Sequence, residues 1–431
     1  MRQRRPVRRK PSAEAAGEVI EVTVDRLGAR GDGVASGPVY VPLTVPGDRV
    51  RARVTGRRGD GRVAEIVELL TPGPGRAEPA CRHFGICGGC AFQHLAPDLY
   101  LQAKRDILTS ALSHHGIAPA PLLPFSQGRP GTRRRVRFSL LRLKGRGAVL
   151  AGFARRGSHD LCDLAECPVL EPALVALLAP LRELMGVILQ PGEGAEATLL
   201  LVKNGADLLL DLPRAPDLVV LEALAHFAET QDLARLVWRQ GGKGPVWPLA
   251  LRRKILVKLA GTAVEIPPDS FLQATLEGEA ALTQAVVEAV GAAPRAADLF
   301  AGFGTFSFAL ARTASVHAVE SLTEAVQALR AGLGQRGTAE MRDLQAEPLD
   351  PVELADFDAV VLDPPRSGAA AQMQALAQSL VPLVVSVSCN PASFARDARI
   401  LLDGGYDLLS ILPVDQFLWS PHVELVGVFR R

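Results

Sequence analysis

The first part of the chain consists of short apolar runs separated by polar turns that contain glycine. Valine-rich runs of strand length lie at residues 19–24, 39–41, 50–54 and 63–67, and the turn at 28–33 carries three glycines. Short β-rich runs spaced by such turns predict a small β-barrel. We therefore expect the first domain, at residues 14–72, to be a barrel.

The last third of the chain alternates apolar runs of strand length with helical segments. The runs that predict strands end at residues 299, 319, 362, 387, 412 and 429. Strands that alternate with helices predict a doubly wound α/β domain, which we place at residues 271–431. Between these regions, amphipathic stretches such as 170–184 alternate with strands such as 198–202. This mixture predicts an α+β central domain at residues 73–270.

The composition is that of a multidomain protein without a membrane segment. Of its 431 residues 48% are hydrophobic, which is enough to fill two or three domain cores. It has no run of about 18 apolar residues, the length that a membrane-spanning helix needs. The first ten residues include six basic ones, but no apolar stretch of a signal peptide follows. We expect a cytoplasmic monomer whose six cysteines are thiols or metal ligands.

Positive charge is concentrated in one part of the central region. No acidic residue occurs between Asp106 and Asp160, whereas ten lysines and arginines do, including Arg133, Arg134, Arg135 and Arg137. A field of one sign suits a polyphosphate backbone, and arginine both binds phosphate and stacks on bases. We therefore expect this segment to bind nucleic acid. The alternative is a solvated surface whose acidic partners come from elsewhere in the fold.

Three cysteines lie within ten residues in the pattern Cys-x5-Cys-x2-Cys, at Cys81, Cys87 and Cys90. Buried thiolates repel one another unless a cation holds them together, so the triplet predicts a metal or iron–sulfur site. The fourth ligand is either Cys162 or Cys167. We favour Cys167, because Cys167-Pro168 resembles the end of known cluster loops, and zinc would fit the same four thiolates.

In the last third, polar residues that suit a cofactor follow the predicted strands. Gly302 and Gly304 stand in a loop after the first strand, where glycines let a ligand approach the backbone and the next helix. The second strand ends in Glu320, at the spacing where an acid receives ribose hydroxyls, and Asp343 and Asp363 follow later segments. This order of acids, without a complete Gly-x-Gly-x-x-Gly, favours S-adenosylmethionine over NAD.

A single cysteine, Cys389, ends the apolar run at residues 383–387 and is followed by Asn390 and Pro391. A free cysteine is ordinarily a small buried hydrophobic residue. Here the predicted sheet places the thiol on the same rim as the cofactor residues, which favours a nucleophile.

Together these motifs resemble the RNA (uracil-5-)-methyltransferases over nearly the whole chain. Within that family the chain is most similar to the 23S rRNA enzymes that carry an N-terminal TRAM domain, an OB-like barrel, and an iron–sulfur cluster. The match rests on the cysteine triplet, Phe271-Leu272-Gln273, the loop from Asp298 to Gly304, Asp363-Pro364-Pro365-Arg366, Ser388-Cys389-Asn390-Pro391 and His422-Val423-Glu424. The chain has Thr132, Thr275 and Thr305 where the family usually has an aromatic residue and two asparagines.

The resemblance implies a role for each of these residues. Cys389 is the nucleophile, Glu424 the base, and Asp363 a group that holds the uracil. A [4Fe-4S] cluster binds to Cys81, Cys87, Cys90 and Cys167, and RNA binds to the arginines at 133–137. The residues that line S-adenosylmethionine are Gln273, Phe300, Gly302, Gly304, Thr305, Glu320, Asp343 and Asp363.

The chemistry of uracil agrees with these roles. Carbon C5 is too weak a nucleophile to take a methyl group until a thiolate adds at C6, and a carboxylate must then remove the C5 proton. The target base has to leave its stack to reach Cys389, which explains why the enzyme needs large RNA-binding domains. Ribosomal RNA is favoured by the domain resemblance, and tRNA stays open.

Three other functions fit less well. A radical methylthiotransferase needs a Cys-x3-Cys-x2-Cys triplet, and methylation of a base amino group favours an aromatic residue where Arg366 stands. A non-enzymatic RNA-binding or chaperone protein would have no need of Cys389, Asp363 and Glu424 together.

Overall fold

The structure is a computed structural model that describes residues 17–28, 30–145, 147–242 and 244–431. The basic N-terminal stretch and Arg146 therefore lie outside the described residues. The chain divides into two compact units. The first contains the described residues up to 85, together with 90–107 and 419–421, and the second contains 86–89, 108–418 and 422–431.

A closed five-stranded barrel lies in the first unit. Its strands are β1 (Val19–Leu27), β2 (Gly33–Ala35), β3 (Val39–Val41), β4 (Arg49–Arg58) and β5 (Gly61–Thr71), in the order β1-β2-β3-β5-β4. Pairing of β1 with β4 closes the barrel. Along β4, Val50, Ala52 and Val54 are buried while Arg49 and Arg53 are exposed, since successive strand residues point to opposite faces. The predicted barrel is confirmed.

A mixed seven-stranded sheet forms the central part of the second unit. Its strands are β6 (Arg135–Arg142), β7 (Val149–Ala154), β8 (Leu161–Asp163), β9 (Gly194–Val202), β10 (Gly205–Leu212), β11 (Arg235–Gln240) and β12 (Trp247–Leu251), in the order β12-β11-β10-β9-β6-β7-β8. The helices of the region are α2 (Pro172–Ala176), α3 (Leu178–Ile188) and α4 (Leu218–Thr230), whereas α1 (Pro97–His114) begins in the first unit and ends in the second. Helix α3 buries Leu178, Leu181, Leu184, Met185 and Ile188, the spacing of one helix face.

A second seven-stranded sheet forms the rest of that unit. It follows a hairpin of β13 (Leu256–Leu259) and β14 (Thr262–Glu265). Its strands are β15 (Arg295–Leu299), β16 (Ser315–Glu320), β17 (Gly337–Met341), β18 (Ala359–Leu362), β19 (Leu383–Ser388), β20 (Asp407–Val414) and β21 (Glu424–Arg430). The helices around it are α5 (Leu276–Val290), α6 (Ser307–Leu310), α7 (Thr323–Leu333), a 3-10 turn (Gly334–Arg336), α8 (Pro351–Leu354), α9 (Ala370–Gln378) and α10 (Pro391–Asp403).

The strand order of this sheet places a crevice at its carboxyl edge. The order is β17-β16-β15-β18-β19-β21-β20. The first five strands are parallel to one another, and β21 runs antiparallel to both of its neighbours, β19 and β20. Strands β16 and β17 lie on one side of β15, and β18 and β19 lie on the other. Ligands of open α/β sheets bind where the order reverses in this way, outside the strand carboxyl ends.

Both faces of the sheet are covered by apolar packing. In β18, Ala359 and Val361 belong to one buried core, while Val360 and Leu362 belong to a second core on the opposite face. This double burial explains why the strands read as continuous apolar runs. The predicted doubly wound domain is confirmed, with an antiparallel hairpin added at one edge. In the described part of the chain, no helix has the length and apolar character to span a membrane.

Candidate active site

The loop after β15 has a backbone that favours glycine. Gly302 has φ 54° and Gly304 has φ 97°, both in the left-handed region. A Cβ atom on Gly304 would lie 2.4 Å from the Phe308 side chain. Phe300, a predicted cofactor residue, also has a left-handed φ of 60°. The loop therefore turns tightly and leaves its backbone open to a ligand beside the half-buried Thr305.

Two predicted cofactor acids lie at the same edge of the sheet. Glu320, the last residue of β16, accepts hydrogen bonds from the backbone N–H groups of Gly302 (2.9 Å), Ser321 (2.6 Å) and Leu322 (3.0 Å). Asp343 follows β17 and accepts one from the backbone N–H of Gln345 at 3.0 Å. Because β15, β16 and β17 are parallel neighbours, their carboxyl ends bring these residues together.

Asp298 is a buried acid that sequence reasoning placed only in the loop motif. One carboxyl oxygen accepts a hydrogen bond from the Ser307 hydroxyl at 2.5 Å. The other, Oδ1, is buried and has no hydrogen-bond donor among the described residues. Burial raises the pKa of Asp298 to about 7, and the nearby charges of Asp363 and Glu320 act in the same direction.

Cys389 and Glu424 both lie at the end of an antiparallel strand pair. Ser388, the last residue of β19, pairs with Leu425 of β21, and Cys389 and Glu424 are the residues next to this pair. They are close enough for the Glu424 charge to act on the Cys389 thiol. Cys389 is half-buried and Glu424 is buried. The sheet register therefore brings the predicted nucleophile and the predicted base together.

The turn after Cys389 is fixed by helix α10. The Asn390 side chain accepts a hydrogen bond from the backbone N–H of Ala392 at 3.1 Å, and Pro391 occupies the first turn of the helix. The Asn390 amide nitrogen also donates to the carbonyl of Arg366 at 3.0 Å. Asn390 and Pro391 thus hold the thiol at a strand-to-helix turn.

Two buried glutamines lie next to Asp363. Gln273 Nε2 donates to Asp363 Oδ2 at 3.3 Å, and Gln416 Nε2 donates to Gln273 Oε1 at 2.7 Å. The Gln416 amide also lowers the pKa of Glu424, against the effect of burial. Gln273 was predicted to contact the cofactor, whereas Gln416 was missed. It follows strand β20, and a lone glutamine in a hairpin loop gives no sequence signal of a site.

Burial raises the pKa of all three reacting groups, and the charge of Asp363 adds to the rise at Glu424 and Cys389. Burial raises the pKa of Asp363 to about 7, against the hydrogen bond from Gln273. Burial, followed by the charge of Asp363, raises the pKa of Glu424 to about 8. The pKa of the Cys389 thiol rises to about 11 through burial, then through the charges of Glu424 and Asp363, and Arg366 opposes this. At neutral pH the thiol is protonated and the two acids together retain protons.

The arginine run divides into structural and exposed side chains. Arg134 is buried, pairs with Glu279 at 2.6 Å and donates to the carbonyl of Gln273 at 3.1 Å. These partners occupy its guanidinium and give Arg134 a structural role, while the predicted RNA contact of Arg134 stays a prediction. Acidic partners from elsewhere in the fold, the alternative explanation of the charge run, are therefore present for part of it.

The other three arginines lie nearer to solvent. The guanidinium of Arg133 lies 5.7 Å from the ring centre of Phe417, and that of Arg135 lies 5.8 Å from the ring centre of Phe271, which is 63% exposed. The side chain of Arg137 is 46% exposed, although it is within 3.4 Å of Glu196. Exposed aromatic and guanidinium planes of this kind suit stacking on bases.

Of the cysteines of the predicted cluster, Cys81 and Cys90 belong to the first unit, and Cys87, Cys162 and Cys167 belong to the second. In the second unit, Cys87 hydrogen-bonds the buried thiol of Cys162, and both Cys87 and Cys167 pack against the core that contains Cys162. Cys167 is partly exposed. Over residues 17–28, 30–145, 147–242 and 244–431, no group of three or more histidine, cysteine or acidic side chains is arranged to hold a metal. Thiols suit an iron–sulfur cluster chemically, so the cluster stays a prediction from the cysteine spacing.

The sheet order and the site at its carboxyl edge define a Rossmann-like methyltransferase domain. A scan against protein-family models found no match. The chain is 42% identical over 430 residues to an uncharacterised RNA methyltransferase of Caulobacter vibrioides, covering 95% of this chain and all of that protein. It is 34% identical over 447 residues to the 23S rRNA (uracil(1939)-C(5))-methyltransferase RlmD of Bordetella parapertussis, covering 96% and 93% of the two chains.

One solved structure matches the fold over nearly the whole chain. The tRNA (uracil-54, C5)-methyltransferase of Pyrococcus abyssi, in complex with S-adenosyl-L-homocysteine, matches with a TM-score of 0.73 and 25% identity, over 95% of this chain and 100% of that one. The chain belongs to the RNA (uracil-5-)-methyltransferase family, as the motifs predicted.

Proposed function

We propose that the protein transfers a methyl group from S-adenosylmethionine to C5 of a uridine in RNA, with 23S rRNA as the substrate. The observation that carries the proposal is the strand pair that has Cys389 and Glu424 at its end, with Asp363 close to both. A thiol and two carboxyl groups at the edge of a cofactor crevice are the groups that this reaction requires.

The residues at the crevice fit S-adenosylmethionine. The Glu320 carboxylate suits ribose hydroxyls, and the acids Asp298 and Asp363 supply negative charge for a sulfonium. The buried oxygen of Asp298 that has no donor among the described residues leaves an acceptor in the same place. The residues that would hold the cofactor are Gln273, Phe300, Gly302, Gly304, Thr305, Glu320, Asp343 and Asp363. When bound, the cofactor supplies an electrophilic methyl group.

Cys389 starts the reaction by adding to C6 of the uracil. Burial, with the charges of Glu424 and Asp363 behind it, raises the pKa of the thiol, so Cys389 passes its proton to the ionised fraction of Asp363 as the sulfur attacks. The new S–C6 bond moves the ring electrons toward C5 and O4. Asp363, whose pKa of about 7 leaves it part-protonated at neutral pH, donates a hydrogen bond to the oxygen where charge develops.

Glu424 completes the reaction after C5 has been methylated. It removes the C5 proton, the electron pair re-forms the C5–C6 double bond, and the Cys389 thiolate leaves C6. Burial beneath the site keeps water away from this carboxylate, and its position at the end of the strand pair keeps it close to the sulfur. The same group therefore resolves the adduct and, once ionised, adds to the raised pKa of the resting thiol.

The 23S rRNA assignment rests on the relative from Bordetella parapertussis and on the barrel and arginine-bearing sheet that accompany the catalytic domain. The Pyrococcus abyssi structure is that of a tRNA enzyme, so tRNA is the second candidate. Mapping of 5-methyluridine in total RNA from a strain without the gene decides between them. Loss of the nucleoside from 23S rRNA supports the assignment, and loss from tRNA alone overturns it.

The cluster stays a prediction from the cysteine spacing. We propose that Cys81, Cys87, Cys90 and Cys167 bind [4Fe-4S], and partial exposure of Cys167 favours it over the buried Cys162 as the fourth ligand. No step of the reaction is assigned to the cluster. Protein purified without oxygen should be brown and contain about four iron atoms per chain. Stoichiometric zinc, or neither metal, would contradict the proposal.

The chemical mechanism is tested with RNA that contains 5-fluorouridine. Fluorine cannot leave C5 as a cation, so wild-type protein should form an adduct that survives denaturing electrophoresis. Cys389→Ala should bind the same RNA without forming the adduct. With uridine RNA, Glu424→Gln should accumulate a methylated adduct. RNA binding by the wild type without any covalent product would refute Cys389 as the nucleophile.

A further inference from the structure

A backbone N–H group fixes the direction of a chain of hydrogen bonds that ends at Asp363. The N–H of Ala274 donates to Oε1 of Gln416 at 3.1 Å, and Nε2 of Gln416 donates to Oε1 of Gln273 at 2.7 Å. Nε2 of Gln273 donates in turn to Oδ2 of Asp363 at 3.3 Å. A backbone N–H can only donate, so the Gln416 atom that faces Ala274 has to be the oxygen. The nitrogen of Gln416 then faces Gln273, and the nitrogen of Gln273 faces Asp363.

The peptide that supplies the first donor is held in place by Arg134. The backbone N–H of Arg134 donates to the carbonyl of Ala274 at 3.0 Å, and its guanidinium Nε donates to the carbonyl of Gln273 at 3.1 Å. These three residues and Gln416 are all buried. The Ala274 N–H therefore keeps its position, and so does the order of donors and acceptors that starts from it.

Gln416 has no room for another orientation. A Cβ atom on Gly278 of α5 would lie 2.8 Å from the Cβ atom and 3.0 Å from Oε1 of Gln416. If the amide turned over, its nitrogen would face the N–H of Ala274 and its oxygen would face the oxygen of Gln273. Both contacts would then be repulsive, which holds the amide in the observed orientation.

The chain of hydrogen bonds makes the two oxygens of Asp363 different. Oδ2 accepts from the amide of Gln273, whereas Oδ1 has no hydrogen bond to the residues that the structure describes. In a carboxylic acid the carbonyl oxygen is a better acceptor than the hydroxyl oxygen, so an N–H donor at Oδ2 favours a proton on Oδ1. A proton taken up by Asp363 therefore belongs on Oδ1.

We propose that Gln416 is a positioning residue that locks the Gln273 amide, so that Asp363 is held through Oδ2 and takes the proton of Cys389 on Oδ1. The inference rests on the proposed function and adds to it a residue that acts through Gln273. In the addition step the S–H bond breaks and an O–H bond forms at Oδ1, while the sulfur bonds to C6 and the C5–C6 electron pair moves toward C5 and O4. The new O–H group is then the donor to O4.

The expected effect of losing Gln416 has a definite sign. The hydrogen bond that Gln273 donates favours the charged form of Asp363 and lowers its pKa against the effect of burial. Without Gln416 the Gln273 amide can turn over and present its oxygen, which binds the protonated acid, so the pKa of Asp363 rises. Adduct formation requires ionised Asp363. It should therefore slow at low pH and recover once the pH exceeds the raised pKa.

The other ionisable groups near Asp363 do not produce the same effect. They are Asp298 on β15, Cys389 after β19, Glu424 on β21 and Arg366 on the segment of Asp363 itself. Of these, Glu424 is affected by Gln416, which lowers its pKa. A higher pKa of Glu424 would leave less negative charge near Cys389 and would speed the addition, so the two effects have opposite signs.

Two substitutions test the proposal. Gln416→Met removes the donor to Gln273. Gln416→Glu keeps an oxygen for the Ala274 N–H but presents a second oxygen to Gln273, so it should turn the Gln273 amide over. The matched control is Gln372→Glu, because buried Gln372 bonds the backbone N–H (2.9 Å) and carbonyl (3.1 Å) of Leu349.

The addition step is measured by itself with RNA that contains 5-fluorouridine. The rate of adduct formation is followed by denaturing electrophoresis between pH 6 and 9, in the presence of S-adenosylmethionine. Because fluorine cannot leave C5, the step that Glu424 performs does not enter the measured rate.

Both Gln416 variants should form the adduct more slowly at pH 6, by about tenfold for each unit by which the pKa of Asp363 rises, and should approach the wild-type rate at pH 9. The shift should be larger for Gln416→Glu than for Gln416→Met. Loss of packing alone predicts the opposite order, because glutamate keeps the shape of glutamine. Gln372→Glu should lower the melting temperature but leave the pH profile unchanged.

A pH profile of either folded Gln416 variant that superimposes on the wild-type profile, or moves to lower pH, overturns the inference and leaves the proposed function standing. Wild-type protein that makes neither adduct nor 5-methyluridine overturns the proposed function, and the inference with it. If one Gln416 variant fails to fold, the other decides. If neither folds, Gln273→Leu decides, because it removes the donor to Asp363 directly and should shift the profile in the same direction.

Discussion

Replacing Glu424 with glutamine removes the negative charge that faces the sulfur of Cys389, and we expect the thiol to ionise at lower pH. The pKa of Cys389 rises from about 9 to about 11, with burial as the largest cause and Glu424 as the second. Two unit charges about 5 Å apart repel by ~3 kcal/mol at an effective dielectric constant of about 20, which is an upper limit for this pair.

The order of the causes makes the share of Glu424 smaller than this limit. Burial is a larger cause of the raised pKa of Cys389 than Glu424, so we expect the carboxylate to contribute about one unit, or about tenfold in thiolate population. The effect requires a charged carboxylate. Because the pKa of Glu424 is about 8, the difference between wild type and variant should be small at pH 7 and largest above pH 8.

Alkylation by iodoacetamide measures the thiolate directly. The rate at Cys389 is followed by mass spectrometry of the peptide that contains it, between pH 7 and 10.5, without RNA. Glu424→Gln should react up to about tenfold faster at pH 9. The control is Glu340→Gln on β17, four strands away from β19 in the sheet, or about 19 Å, where screening removes the effect.

Equal alkylation rates for Glu424→Gln and wild type across this range would show that the carboxylate does not face the sulfur. A wild-type thiol that titrates below pH 8 would refute the raised pKa itself. Either result would show that Glu424 does not affect the ionisation of the Cys389 thiol in the free enzyme.

Two further predictions concern the arginine run and the glycine loop. Arg134→Met should lower the free energy of unfolding by about 3 kcal/mol, because it leaves the mostly buried Glu279 without its partner. Arg137 is exposed, so Arg137→Met should change the free energy of unfolding by at most about 0.5 kcal/mol. It should, however, reduce the salt dependence of RNA binding by about one ion. Denaturant unfolding measures the structural role, and binding titrations at several salt concentrations measure the RNA contact. Equal losses of stability in the two variants would contradict the structural role of Arg134. Gly304→Ala should weaken S-adenosylmethionine binding, measured by calorimetry, because the new Cβ atom meets the Phe308 side chain. The control is Gly334→Ala, which has a left-handed φ of 54° but open space around it and should bind the cofactor as the wild type does. Equal affinities of the two variants for the cofactor would contradict a role for the tight turn at Gly304.

The catalytic domain was predictable from sequence because its functional residues end strands. Glu320, Asp363 and Cys389 each follow an apolar run that reads as a buried strand. Parallel strands place their carboxyl ends at one edge whatever the details of packing. Local pattern was therefore enough to bring these residues together.

The remaining features depend on pairing between distant segments. The acidic partners of Arg129 and Arg134, Glu277 and Glu279, stand on α5 well over 100 residues later, so charge counting overestimated the exposed positive surface. Gln416 enters the site only because β20 and β21 fold back as an antiparallel hairpin. Thr275, where the family usually has asparagine, caps α5 by accepting from the N–H of Gly278 at 3.0 Å, a role that both residue types fill.

The antiparallel course of β21 has a consequence for how the enzyme tolerates change. Parallel strands bring their last residues to the rim of the sheet, and only a strand that runs the other way brings its first residue there, as β21 does with Glu424. Nucleophile and base are 35 residues apart in the chain, yet the ladder between β19 and β21, which ends at Ser388 and Leu425, brings the two segments that carry them together. Loops between them can lengthen without moving either group, whereas a slip of one residue in β21 would turn the carboxylate to the opposite face.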